Sequence, residues 1–278
     1  MNKVDKFYDV KSFLQCPICG KKMRFHAGGM VCKREHRFDI SSKGYVNFLQ
    51  SSKPLKGYDM EFFESRRRFF QSGYYAHIAE AVISAALGRS PLEVVVDAGC
   101  GEGYYSAALS RYTDAQILAF DIASDAVKVA ARCPEPVKWM VADITDIPLK
   151  SHSADCILDV FTPANYGEFG RVLKEDGIVV KVVPGANHLK ELREAAGDQI
   201  RNKEYSNAEV LDYFADHFEM TDSVTVSRTM AIGGGDLTDL IRMTPLLFDV
   251  DKGAVDTSAI KEITVEGQVL VGRRKASE

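Results

Sequence analysis

Four side chains near the start of the sequence could hold a metal ion. Cys16-x-x-Cys19 is followed by Cys32-x-x-x-His36. Thiolates and imidazole are the donors that a tetrahedral zinc ion takes. A Cys-x-x-Cys turn lets two sulfurs reach one ion from a tight knuckle, and Cys32 with His36 forms the second half. The twelve residues between Cys19 and Cys32 suffice for a short hairpin. Pro17 and Gly20 suit the knuckle, which needs restricted φ at one point and positive φ at another. His26 is a spare imidazole that could replace His36, at a less favourable spacing from Cys32. Four protein ligands leave no open position, so the expected role of the metal is structural.

A second constellation begins at Val94-Val95-Val96-Asp97-Ala98-Gly99-Cys100-Gly101-Glu102-Gly103, a hydrophobic strand running into a glycine turn. Such a turn lets backbone approach a nucleotide-like ligand. It departs from the dinucleotide fingerprint Gly-x-Gly-x-x-Gly, because the third glycine comes one position early. Asp97 at the strand end would also repel a diphosphate. S-adenosylmethionine carries no phosphate, so Gly99, Cys100 and Gly101 can meet its methionine portion and Asp97 its ammonium. Asp121, 18 residues past Gly103 at the next strand end, is placed to accept from both ribose hydroxyls. Asp143 ends the third strand and is placed to accept from the adenine amino group, with Ile122 and Ile144 on either side of the ring. Each acid alone could be a helix cap or a loop residue. Three acids at successive strand ends favour this donor over a nicotinamide dinucleotide.

The elements that position these groups follow from periodicity. Residues 16–48 are too few and too polar for an ordinary core and need a staple such as a metal. Gly20, Gly28 and Gly29 punctuate them as turns between short strands. Residues 51–57 form a linker. Glu61 to Leu87 is helical, broken at Ser72-Gly73, with an apolar face in its second half. Strands are expected at Leu92–Asp97, Gln116–Asp121, Val137–Ala142, Ala154–Val160 and Gly177–Val183. They alternate with helices at Tyr104–Arg111, Ser124–Arg132 (Ser124 as N-cap) and Tyr166–Lys174, with Gly177 as a break beyond the last. This pattern is an α/β fold with a doubly wound parallel sheet. Further on, His188–Asp198 and Asp236–Met243 are expected helices. Glu219–Ser227 and Gln268–Gly272 are expected strands that close the sheet edge. The predicted division is a small zinc-binding RNA-recognition module over 1–50 and a methyltransferase domain over 51–278, with linker and leading helices over 51–90.

Composition bounds the rest. A chain of 278 residues with 46% hydrophobic and 27% charged residues is expected to be a soluble globular protein. No apolar run approaches the roughly 20 residues that span a bilayer. The start Met1-Asn2-Lys3-Val4-Asp5-Lys6 lacks the apolar core of a secretory signal. Six cysteines, three of them in a metal pattern and Cys100, Cys133 and Cys156 elsewhere, fit a reducing cytoplasm. The net charge of −4 hides an asymmetry: residues 1–60 hold 12 Lys and Arg against 5 Asp and Glu, and the remainder 23 against 34. A basic module on an acidic body can place a polyanion locally. Lys21, Lys22, Arg24, Lys33, Arg34 and Arg37 surround the metal ligands. Phe25 and Phe38 among them either stack on unpaired bases or form the module's small core. Arg66-Arg67-Arg68 either extends the basic surface or is a solvated helix face.

The chain resembles the bacterial 23S rRNA (guanine-N1-)-methyltransferase family. The matching segments are Cys16-Pro17-Ile18-Cys19, Cys32-x-x-x-His36-x-Phe38-Asp39, Gly44-Tyr45-Val46-Asn47, Arg67-Arg68-x-Phe70, Gly73-x-Tyr75, Gly99-Cys100-Gly101-Glu102-Gly103-Tyr104-Tyr105, Pro184-Gly185-x-x-His188-Leu189-x-Glu191-Leu192 and Met243-Thr244-Pro245. The resemblance implies a class I, Rossmann-like methyltransferase fold with a zinc-binding module. It implies zinc ligation by Cys16, Cys19, Cys32 and His36. It also implies contact with S-adenosylmethionine from Tyr75, from Cys100 and Gly101, and from His188; spacing alone selects neither Tyr75 nor His188. It implies 23S rRNA as partner and a homodimer whose paired zinc modules flank an RNA cleft. In place of the more usual aliphatic-aromatic-Ala-Pro after the fourth strand, this chain has Val160-Phe161-Thr162-Pro163.

Methyl transfer from a sulfonium is an in-line displacement, and much of its acceleration can come from alignment. Guanine N1 carries a proton that must leave, so a general base or a donor to guanine O6 would help. The end of the fourth strand, Asp159 through Asn165, is expected to face the transferred methyl, which makes Asp159 and Asn165 the catalytic candidates. Two other functions fit some of the same features. One is a small-molecule methyltransferase whose finger only supports oligomerisation. The other is an RNA-binding protein on an inactive methyltransferase fold.

Overall fold

The computed structural model describes residues 5–49, 51, 55–88, 91–200, 206–251 and 255–275. Most of the expected linker lies within it; positions 52–54 fall outside the described residues, as do positions 1–4. Strands β1 (Met23–His26), β2 (Gly29–Cys32) and β3 (Arg37–Asp39) form a three-stranded antiparallel sheet. The hairpin expected between Cys19 and Cys32 is β1–β2, turning at Ala27 and Gly28. The next strand, β4 (Val46–Asn47), leaves this small sheet. It pairs in parallel with β7 (Lys138–Val141), Val46 facing Met140.

The large sheet contains β5 (Val94–Ala98), β6 (Gln116–Asp121), β7, β8 (Ala154–Val160), β9 (Leu173–Pro184), β10 (Phe218–Ala231) and β11 (Glu262–Arg274), with β4. Its order is β10-β11-β9-β8-β5-β6-β7-β4. Strands β4 to β9 run parallel, and β11 is antiparallel to both β9 and β10. From β5 the chain winds one way to β6 and β7, then returns to β8 and winds the other way. The crevice at the carboxyl ends of β5 and β8 is therefore the topological switch point, where open α/β sheets bind ligands. Every residue of β5 and β8 is buried, as expected for strands covered on both faces.

The helices are α1 (Met60–Gln71), α2 (Ala76–Leu87), α3 (Tyr104–Leu109), α4 (Ser124–Ala130), α5 (Tyr166–Val172), α6 (Lys190–Ala196), α7 (Ala208–His217) and α8 (Gly234–Met243). The break between α1 and α2 falls where expected, with Gly73 at φ +89°. Asp59 caps α1 by accepting from Phe62 N at 2.8 Å. Two local expectations are corrected. Ala123, not Ser124, is the N-cap of α4, because Asp121 Oδ1 already accepts from Ala123 N at 2.8 Å. Gly177 lies inside β9 and not beyond a helix; a side chain there would press on Leu173. Helix α7 has no expected counterpart. Only Phe214 is buried on it, although Val210, Leu211 and Phe214 recur at helical spacing.

The metal module is packed against the sheet. Phe7, Phe38 and Phe48 share an apolar cluster with Met140, Leu118 and Leu149, and Phe38 tilts against Phe48 at 5.1 Å. Phe38 is thus core, whereas Phe25 is half-buried and stacks on exposed Tyr8. Each large apolar side chain moved out of water contributes about 1.5–3 kcal/mol, against about 1 kcal/mol for a ladder hydrogen bond. The cluster, more than two-residue β4, holds the module in place. Arg66-Arg67-Arg68 extends no basic surface. Arg66 pairs with Glu102, Arg67 donates to Val129 O, and Arg68 pairs with Glu61 and Asp239. Among the described residues no helix is long and apolar enough to cross a membrane.

Stripping metal from the module is expected to lower the melting temperature of the entire chain in one transition, because the module shares the sheet's core. Differential scanning calorimetry with and without chelator checks this. A separate early transition that leaves the main melt in place would contradict the shared core.

Candidate functional site

Two knuckles build the metal centre. Gly20 N and Cys19 N both donate to Cys16 O, at 2.8 and 3.3 Å, and Gly20 takes φ +66°. In the second, Glu35 N donates to Cys32 O at 3.0 Å, and Glu35 takes φ +61°. The donor atoms of Cys16, Cys19, Cys32 and His36 all lie within 4.8 Å of one another. Cys16 Sγ is 3.4 Å from His36 Nδ1, and Cys19 Sγ is 3.7 Å from Cys32 Sγ. A zinc tetrahedron with Zn–S bonds of about 2.3 Å has edges of roughly 3.5–3.8 Å, so the donor set fits zinc. Arg34 N points at Cys32 Sγ at 3.3 Å. His26 is exposed and stands outside the cluster.

The glycine turn is clamped from the neighbouring strand. Gly99 N and Cys100 N both donate to Phe120 O at 2.9 Å, and Gly101 N donates to Asp121 Oδ2 at 2.9 Å. A Cβ on Gly99 would collide with Thr162, and one on Gly103 with Trp139. Gly101, at φ +56°, has nothing among the described residues within 4 Å of its would-be Cβ. That open cradle is what an approaching ligand requires, so the turn fits the donor group expected there. Burial pushes the Cys100 thiol well up, which keeps it protonated and unreactive.

The three acids differ in surroundings. Asp97 is 2% exposed and lies beneath the turn, where Ser106 Oγ donates to its Oδ2 at 2.6 Å. Burial pushes its carboxyl up to about 7, assisted by repulsion from Asp121, Glu102 and Asp159 and opposed by Ser106. Asp121 accepts from Gly101 N and Ala123 N, one on each oxygen. A carboxylate offers about four lone-pair sites, so both oxygens keep capacity for a ribose. Asp143 Oδ1 accepts from Thr145 N and Oγ1 at 2.8 and 2.7 Å. Ile122 is 41% exposed and Ile144 half-buried, leaving apolar surface beside these strand ends.

Tyr75 and His188, far apart in sequence, meet: Tyr75 Oη is 3.2 Å from His188 Nε2. Both line a cavity of about 260 Å³ with Arg66, Phe70, Phe161 and Met243. His188 Nδ1 accepts from Glu266 N at 3.2 Å, so the proton of the neutral ring sits on Nε2 and is donated to Tyr75 Oη. Burial holds the imidazolium down to about 4 and pushes the Tyr75 phenol up. Tyr75 O–H is left as a neutral donor at the cavity wall. No local pattern in the sequence marks this pair, because β9 and β11 bring it together.

The catalytic candidates are tied into the structure. Asp159 is fully buried, its Oδ2 accepts from Lys181 Nζ at 2.6 Å, and its Oδ1 has no hydrogen-bond partner among the described residues. Burial pushes its carboxyl up to about 6 against the pull of Lys181. Lys181 Nζ also donates to Thr162 O at 3.3 Å, anchoring the loop after β8. Asn165 caps α5, its Oδ1 accepting from Glu168 N at 3.0 Å. Phe161, at φ +55°, borders both the Tyr75 cavity and a second recess of about 580 Å³ with Tyr166, Lys181 and Tyr213.

A parallel sheet with a glycine turn and acids at its carboxyl edge defines a class I methyltransferase. Residues 95–177 match the model of the methyltransferase domain, and residues 14–53 match that of the RlmA N-terminal zinc ribbon. The chain is 31% identical to the 23S rRNA (guanine(748)-N(1))-methyltransferase of Streptomyces fradiae, over 95% of this chain and 98% of that one. It is 32% identical, at the same coverage, to YxjB of Bacillus subtilis (strain 168), provisionally assigned as a 23S rRNA (guanine-N(1)-)-methyltransferase. Two solved structures share the fold. One is a chain of the complex containing the Haloferax volcanii Trm112 methyltransferase activator, with TM-score 0.54, 17% identity, and coverage of 81% of this chain and 100% of that one. The other is the Bacillus subtilis YcgJ protein, with TM-score 0.52, 20% identity, and coverage of 73% and 100%. The chain belongs to the 23S rRNA (guanine-N1-)-methyltransferase family. Its cofactors are S-adenosylmethionine and a structural zinc ion.

Two outcomes follow from the buried acids. A bound ammonium favours ionised Asp97, so donor affinity is expected to fall as pH drops through about 7 and to become flat in Asp97→Asn. Calorimetry with the demethylated product at pH 6 and pH 8 checks this, and pH-independent binding by the unaltered protein would contradict it. Asp159→Asn leaves the Lys181 ammonium buried without a counter-charge. It is expected to cost about 3–5 kcal/mol in denaturant unfolding, most of it recovered in Asp159→Asn/Lys181→Met.

Proposed function

We propose that this protein transfers a methyl group from S-adenosylmethionine to N1 of a guanine in a hairpin loop of 23S rRNA, acting in the cytoplasm as a homodimer. The observation that carries the reading is the union, in one chain, of a basic zinc ribbon packed against the large sheet and a donor cradle at that sheet's carboxyl edge, matched end to end in relatives of that name. In this reading residues 1–50 engage RNA and residues 51–278 form the methyltransferase domain. Lys21, Lys22, Lys33 and Arg34 are exposed on the module, where phosphates would be drawn.

The donor supplies a methyl carbon made electrophilic by its sulfonium. Tyr75, Asp97, Gly99, Cys100, Gly101, Asp121, Asp143 and His188 are assigned to hold it. Asp159, through Lys181, positions the Phe161–Asn165 loop between the two recesses. The guanine is assigned to the recess of Tyr166 and Tyr213, where Tyr213, 52% exposed, offers a stacking face to an unpaired base. Holding the base in line with the methyl would supply much of the acceleration.

Labelled donor, incubated with 23S rRNA lacking the modification and in parallel with a metabolite extract, tests the reading. Mass spectrometry of the digested RNA is expected to find labelled 1-methylguanosine; label only in a small molecule would favour the alternative enzyme. Lys33→Glu/Arg34→Glu is expected to raise KM for RNA on the order of tenfold at low salt, with a smaller effect at high salt. Donor affinity measured by calorimetry is expected to stay unchanged in that variant.

A further inference from the structure

The cavity of Tyr75 and His188 has in its wall a cation whose hydrogen-bond donors the protein leaves unused. Arg66 belongs to α1, and its side chain is 18% exposed. The two arginines that follow it differ. Arg67 Nη1 donates to Val129 O at 3.1 Å, and Arg68 donates to Asp239, Glu61 and Ser65. Arg66 Nε stands 3.2 Å from Glu102 Oε2, yet makes no hydrogen bond among the described residues. Its two Nη nitrogens donate to no protein atom among them either. A guanidinium with five N–H donors is costly to bury in that state.

Its position is nonetheless fixed. Glu102 is 6% exposed and belongs to the glycine turn, between Gly101 and Gly103. Phe70, one helical turn on from Arg66, has its ring centre 5.0 Å from the guanidinium carbon. Burial opposes the charge, but Glu102 ahead of Asp121 outweighs it, so Arg66 stays cationic. The guanidinium therefore lies between the turn assigned to the donor's methionine portion and the cavity that Tyr75 and His188 line.

S-adenosylmethionine carries one anionic group, the carboxylate of its methionine portion, and two cationic ones. Asp97, Glu102, Asp121 and Asp159 crowd this edge of the sheet. They suit the sulfonium and the ammonium and repel the carboxylate. Arg193 also borders the cavity, but its Nη2 donates to Ala186 O. We propose that Arg66 receives that carboxylate end-on through its two Nη nitrogens, with Glu102 and Phe70 positioning the guanidinium. A paired N–H fork matches a carboxylate in shape as well as charge. With Asp97 on the ammonium and Arg66 on the carboxylate, the α-carbon is held by two of its substituents while the sulfonium arm runs to the adenosine. Arg66 is then the residue that makes the site reject adenosyl compounds lacking a carboxylate.

The inference rests on the donor lying across the glycine turn, and the test separates the two. S-adenosylhomocysteine and its decarboxylated form, which keeps the ammonium and the adenosine, are titrated by calorimetry into full-length, zinc-loaded protein. The unaltered protein is expected to prefer S-adenosylhomocysteine by about tenfold or more. Arg66→Met is expected to bind the two alike, and Arg193→Met to keep the preference. Arg66→Lys, which keeps the charge but not the fork, is expected to fall between them, so the assignment does not hang on one variant's folding. Because each ratio is taken within one protein, a general loosening of the fold cancels. A preference intact in Arg66→Met with both ligands weakened alike, or absent in the unaltered protein, or lost with Arg193 in place of Arg66, would overturn the assignment. Heat from neither ligand in the unaltered protein would overturn the donor site itself.

Discussion

The structure depends on how the end of β6 grips the turn after β5. Phe120 O receives two amides from that turn, and Asp121 receives a third while also starting α4. The backbone at Gly99–Gly101 is thereby fixed before any ligand arrives, and the open side of Gly101 is left facing the crevice. Preorganisation of this kind removes an ordering cost from binding. It also explains why Asp121 carries two tasks: the carboxylate expected to meet a ribose is the same one that shapes the turn.

A second constraint is electrostatic. Asp97, Glu102, Asp121 and Asp159 converge beneath the carboxyl end of the sheet closely enough to repel one another. Arg66 answers Glu102 and Lys181 answers Asp159. What remains is an acidic floor in a buried setting, suited to a cationic ligand and hostile to a diphosphate. The basic residues of the zinc module lie outside this region, so the two signs of charge are kept on separate surfaces of one molecule.

Much of this was legible in the sequence, for identifiable reasons. The strands at Val94–Ala98, Gln116–Asp121 and Ala154–Val160 are apolar runs bounded by turns, and the four metal donors announce themselves by spacing. What stayed hidden depends on partners remote in the chain. Three consecutive arginines look like a surface patch until Glu102, Asp239 and Val129 O are seen to receive them. Tyr75 and His188 become a pair only when the sheet closes, and the resemblance, not any local pattern, singled them out. The burial of Asp159 and the capping hydrogen bond of Asn165 were equally invisible, since a strand-end acid and a loop amide look the same whether they face a ligand or the fold.

The pairing of β4 with β7 has a consequence in time. Val46 leaves the ribosome well before its neighbour Met140 exists, so the edge of the large sheet must wait for most of the body to be made. During that interval Phe38 and Phe48 lack the Leu118, Met140 and Leu149 part of their apolar cluster. An ion held by Cys16, Cys19, Cys32 and His36 would help the β1–β3 ladder keep the nascent segment in shape. The metal would then act as a chaperone built into the chain, keeping a docking strand in readiness for a partner still being synthesised.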